Sequence, residues 1–225
     1  MNVQNGCLTP KTGKAQISGG YTMLQKQMKK YISSELMSEE KQVAVYQEEK
    51  EYIEKYELIS NDVKLVEKDP TTRFTEAYIE RCDKETEETL SKESFAFLEH
   101  PINYLQKHKN EFLYFESEWL ELIGVDAIAF EVNDVFGTYD VMVGLKLQKK
   151  FETSLKENLR KELHGDEAKF ELMFNQGDGL WDLNFALNYV IGFKEDMSLE
   201  EAYRLIYRFL FTLVERTEEV SSDVN

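Results

Sequence analysis

The stretch Asp126-Ala-Ile-Ala-Phe-Glu-Val-Asn-Asp-Val-Phe-Gly-Thr-Tyr-Asp-Val-Met-Val-Gly-Leu-Lys-Leu147 alternates apolar and other residues on both sides of a turn from Asn133 to Gly137. Ile128, Phe130 and Val132 share one parity before the turn, and Tyr139, Val141, Val143, Leu145 and Leu147 share one after it. A period of two marks half-buried antiparallel strands, because successive side chains leave opposite faces of the pleat. Phe151, Leu155, Leu159 and Leu163 then recur at helical spacing, so an amphipathic helix follows the hairpin.

The same order of elements recurs downstream. Phe170, Leu172 and Phe174, then Trp181, Leu183, Phe185, Leu187 and Tyr189, flank Gln176-Gly-Asp-Gly179, whose glycines suit a tight hairpin. A last helix carries Leu199, Ala202, Tyr203, Ile206, Phe209, Leu210 and Leu213, and Ser198 with Glu201 has the spacing of a capping box. The expected fold is α+β: a four-stranded antiparallel sheet from two strand-strand-helix units over 125–219, with helices on its apolar face and additional N-terminal helices.

Towards the N-terminus, residues 23–124 read as a mostly helical segment packing on this body. Met28, Ile32 and Leu36, then Val43, Tyr46, Ile53 and Tyr56, mark one interrupted helix or two; Phe74, Tyr78 and Cys82 share a helical face; and Pro101 opens a helix towards Ile123. Residues 1–22 differ from the rest in having two lysines, no acid and no apolar periodicity. They read as disordered, or as untranslated if Gly19-Gly20 are encoded by a purine-rich ribosome-binding stretch before Met23. Residues 220–225 read as a tail.

The 43 acidic and 27 basic residues leave a net charge of −16, spread along the chain. Such a surface repels phosphate backbones and anionic lipid, which argues against nucleic-acid and membrane partners. No apolar run approaches the roughly 20 residues of a membrane helix. Cys7 and Cys82 have no paired spacing, so no disulfide framework is indicated and a cytoplasmic protein is the expectation.

By parity the reverse face of the four strands shows Ala127, Ala129 and Glu131; Asp140, Met142, Gly144 and Lys146; Lys169, Glu171 and Met173; and Asp182, Asn184, Ala186 and Asn188. This mixture is less polar than a solvated face needs, so something is expected to lie against it. The ordinary candidates are the N-terminal helices, a second copy of the chain in a homodimer, or another protein. The sharper one is a ligand groove with Asp182, Asn184 and Asn188 as polar anchors. Glu131, Asp140, Glu171 and Asp182 could converge on a hard cation, but the lysines among them favour cross-strand charge pairs. His164 precedes Gly165, where a helix C-cap is wanted, and no second histidine stands at ligand spacing, so no metal site is assigned. A Gly-x-Ser-x-Gly elbow and a phosphate-binding loop are both lacking, and Cys82 reads as a core residue.

The stretch from Phe112 to Val143, and especially Gly179-Leu-Trp-Asp-Leu-Asn-Phe-Ala-Leu-Asn-Tyr-Val190, resembles a group of small, functionally unassigned proteins of low-GC Gram-positive bacteria. Some of that group carry a branched-chain amino acid aminotransferase label. The resemblance would span Met23 to about Glu219, and the label implies pyridoxal phosphate, a Schiff-base lysine and a phosphate cup. None of these parts matches a motif in this chain, and Lys146 is the nearest Schiff-base candidate. The candidate binding residues are thus Asp140, Lys146, Glu171, Asp182, Asn184 and Asn188. The leading expectation is a non-catalytic binding or interaction protein using the reverse sheet face; the alternative is a small-molecule enzyme.

Overall fold

The hairpin expected over 126–147 forms: strands at Val125–Val132 and Tyr139–Leu145 pair antiparallel, with Ile128 opposite Val143 and Phe130 opposite Val141. The structure is a computed structural model, and it describes residues 21–36, 41–165 and 170–219. Residues 1–20, nearly all of the start expected to be disordered or untranslated, the whole tail at 220–225, and Lys169 of the reverse face lie outside the described residues.

In chain order the elements are α1 (Met23–Glu35), β1 (Gln42–Val45), α2 (Gln47–Lys55), β2 (Lys64–Glu67), β3 (Tyr78–Asp83), β4 (Thr89–Glu93), α3 (Tyr104–Lys107), β5 (Glu111–Glu116), α4 (Glu118–Leu122), β6 (Val125–Val132), β7 (Tyr139–Leu145), α5 (Glu152–Glu162), β8 (Phe170–Asn175), β9 (Leu180–Ala186) and α6 (Leu199–Glu219). The fold is α+β with a large antiparallel sheet, but the sheet has seven strands in the order β4-β3-β5-β6-β7-β9-β8, not four. The two expected hairpins adjoin through β7 and β9, and β3, β4 and β5 extend the sheet on the β6 side.

Those three strands correct the reading of residues 23–124 as mostly helical. The face assigned to Phe74, Tyr78 and Cys82 is not helical, since β3 begins at Tyr78. The helix expected from Pro101 to Ile123 is broken into α3, β5 and α4. The cause is chemical. In β5 Phe112 and Tyr114 are aromatic on the face away from the core, so the strand reads as one apolar run. In β3 Arg81 sits on the core side, where its guanidinium forks onto Glu111 with bonds of 2.9 and 2.8 Å, so charge falls where an apolar residue was sought. Between α1 and α2 the chain also forms β1, which pairs in parallel with β2 as a separate two-stranded sheet.

One face of the large sheet is covered by α6. Tyr203 stacks on Phe115 with centroids 4.0 Å apart and meets Phe130 edge-on, while Phe209 lies 4.6 Å from Phe185. Burying side chains of this size contributes roughly 1.5–3 kcal/mol each. The helix starts where the sequence places it: Ser198 Oγ accepts from the Glu201 amide at 3.1 Å, and the Glu201 carboxylate accepts from the Ser198 amide at 2.8 Å. Near its other end, the buried Glu218 carboxylate accepts from the Met23 and Leu24 amides at 2.8 and 3.0 Å, and so satisfies the first turn of α1. All described N-terminal helices therefore gather on the α6 side.

Candidate functional site

Because α1, α2 and α4 join α6, the reverse sheet face is left without a cover among the described residues. Of the occupants expected for it, the N-terminal helices are therefore ruled out. One cross-strand row runs Lys92, Glu80, Tyr114, Ala129, Met142, Asn184, Glu171, from edge to edge of the sheet. A second runs Cys82, Phe112, Glu131, Asp140, Ala186. Tyr114, Ala129 and Met142 are half-buried by their neighbours alone, whereas Glu171, Met173 and Asp182 are exposed.

The sequence candidates separate on this surface. Asp140, Glu171, Asp182 and Asn184 do lie on the open face, across four adjoining strands with Glu131. Asn188 does not: β9 ends at Ala186, and Asn188 turns to accept the Tyr139 amide on its Oδ1 at 2.7 Å. Lys146 stands exposed beyond the end of β7, with its backbone N–H bonded to the Gly124 carbonyl at 2.7 Å. Cys82, read as a core residue, is buried, but on the open face under Phe112 and Thr89.

At the Asp140 end of the face the chemistry is tighter. Glu131 lies directly opposite Asp140, and Lys84 from the β3–β4 turn reaches the Glu131 carboxylate at 3.3 Å and donates to the Val132 carbonyl at 2.6 Å. Burial pushes the Glu131 carboxyl above its ordinary value; Lys84 opposes that shift and the Asp140 and Asp134 charges add to it. Asp140 is held by the Asn133 amide at 2.8 Å and the Thr138 hydroxyl at 2.9 Å. Lys84–Glu131 is the one ion pair here among the described residues; Asp140, a like charge directly opposite Glu131, is held by neutral donors, and Lys146 and Lys169, the lysines expected to pair on this face, are respectively exposed past β7 and outside the described residues. Among the described residues no group of three or more His, Cys, Asp or Glu side chains is placed to hold a metal ion.

The feature that sequence reading passed over is the turn itself. Asn133 Oδ1 accepts from the Val135 and Phe136 amides at 3.0 and 3.1 Å, and the Gly137 amide donates to the Asn133 carbonyl at 2.8 Å. Gly137 has φ of +68°, which an L side chain rarely adopts, so the glycine closes the turn. The outcome is a pinned loop that holds two large apolar side chains in water: Val135 is 82% exposed and Phe136 78%. A signal was present, since a turn is ordinarily polar and Asn-Asp-Val-Phe-Gly-Thr is not.

A cleft of about 470 Å³ lies elsewhere, between the α2–β2 region and the start of α6, and it includes none of the sequence-derived candidates. Comparison of the chain with protein-family models, with curated proteins and with solved structures returns no match.

Proposed function

We propose that this protein is a non-catalytic interaction module whose uncovered sheet face and Val135-Phe136 loop dock onto a basic surface of another protein. The observation that carries this reading is the pinned loop, with two large apolar residues held in water at the end of the sheet where Glu131 and Asp140 lie opposite each other. Exposed apolar residues grouped in this way mark contact sites, and a rigid aromatic anchor costs little conformational entropy on binding. Among the described residues the open face carries carboxylates from Glu80, Glu116, Asp126, Glu131, Asp140, Glu171 and Asp182 against Lys84, Lys92 and, past the end of β7, Lys146. Charge complementarity therefore favours a basic partner. It disfavours a second copy, which would set a chain of charge −16 acid against acid. The aminotransferase alternative gains no support from Lys146, which is exposed and outside the cleft.

The test compares proteins captured from cell extract by the wild type, by Phe136→Asp and by Lys64→Ala, an exposed control in β2. The expected result is a basic protein held by the wild type and the control, released by salt of about 0.5 M, and absent from Phe136→Asp at unchanged circular dichroism. Equal capture by all three, or capture of nothing, would contradict the reading.

A further inference from the structure

The cleft between the N-terminal layer and α6 concentrates cations in a chain that is otherwise strongly acidic. Lys68, Arg73, Lys194, Arg204 and Arg208 all line it. Two of them are committed: Arg73 bonds Glu49 at 2.7 Å and Glu48 at 2.5 Å, and Arg204 lies 2.5 Å from Glu200. Among the described residues Lys68, Lys194 and Arg208 have no carboxylate within ion-pair distance. The lining acids are mostly engaged: Glu48 by Arg73, Glu67 by Lys50 at 3.0 Å, and Glu201 by the Ser198 amide. Asp196 is the one lining carboxylate without such a partner among the described residues; counted with its ion-pair partners the cleft is close to charge-balanced, and what distinguishes it is three cations outside any ion pair.

Two of these cations have close neighbours. The Lys68 ammonium lies over the Tyr46 and Trp119 rings at 5.0 and 5.1 Å. Arg208 packs so closely on the 191–192 backbone that a Cβ on Gly192 would sit 2.9 Å from its Nη2, and Gly192 has φ of +100°. The positive φ is what calls for glycine at 192; the guanidinium is the end of an exposed side chain. The Nη2 atom is 3.5 Å from the Ile191 carbonyl, a distance too long to use up its donors.

We infer that this cleft binds a small multivalent oxyanion, a phosphate ester or polycarboxylate, held by Arg208, Lys194 and Lys68. The volume suits a small metabolite, and three cations outside any ion pair have donors free for more than one oxyanion group, which matches a dianion or trianion better than a single carboxylate. The site shares no residue with the sheet face and stands independently of the docking role.

Isothermal titration with pyrophosphate and with citrate, at constant ionic strength, tests the assignment. The expected result is saturable 1:1 binding of at least one of them, weakened about tenfold or more in Arg208→Gln and in Lys194→Gln, and unchanged in the exposed control Lys150→Gln. Which probe binds more tightly distinguishes phosphate from carboxylate chemistry. No binding below about 10 mM, or equal weakening in the control, would overturn the assignment, since a nonspecific charge effect is screened alike everywhere.

Discussion

Arg73 is the residue on which most of the N-terminal layer converges. It is 4% exposed, grips the fully buried Glu49, and lies 4.2 and 4.0 Å from the Tyr46 and Tyr207 ring centres, while the Tyr207 hydroxyl donates to Glu49 at 2.5 Å. Burial, and then the Glu49 charge, push the Tyr207 phenol well above its ordinary value, so it stays a donor. Arg73→Ala leaves the Glu49 carboxylate buried and unpaired, and urea unfolding should register a loss of about 3–5 kcal/mol. Replacing both partners by apolar residues should restore part of that loss. A second pair gives a pH signature. Glu111 is opposed by its own burial, but Arg81 holds its carboxyl below the ordinary value. Its folded pKa therefore lies below its unfolded one, so its stabilisation is full above the unfolded pKa of about 4.3 and is lost as pH falls through the folded pKa. Arg81→Gln should flatten this acid limb of the stability profile. None of these roles was legible in the sequence: among 43 acids, Glu49 and Glu111 look like solvated charges.

Elements with a clean period were legible, and elements with mixed faces were not. Strands β6, β7, β8 and β9 put their large branched and aromatic residues on one face and mostly small or polar ones, with Met142 and Met173, on the other, so alternation revealed them. Strand β5 carries aromatics on both faces and β3 carries Arg81 towards the core, so tertiary packing decided what local pattern left ambiguous. The open face was correctly divided from the apolar one for Asp140, Glu171, Asp182 and Asn184, and failed at Asn188 because the strand stops two residues earlier. The β6–β7 turn was located but its presentation was not. Asn133 supplies three side-chain bonds there, so Asn133→Ala should cost about 1–3 kcal/mol in thermal unfolding. Hydrogen exchange at the Val135 and Phe136 amides should accelerate in the same variant.

At the scale of the molecule, every described helix that packs on the sheet lies on one side, and the other side meets solvent with an acidic, partly apolar face. No described helix is long and apolar enough to cross a membrane. An acidic face opposing itself is repulsive, so light scattering near 0.15 M salt, where the Debye length is about 8 Å, should report a monomer for the isolated chain. The central claim is that Phe136 anchors a basic partner. A photoreactive benzoylphenylalanine placed at position 136, with position 64 in β2 as control, tests it most directly in living cells. The account predicts one discrete adduct at 136, absent at 64, whose partner is a basic protein; adducts only with a second copy, or indistinguishable at the two positions, would contradict it.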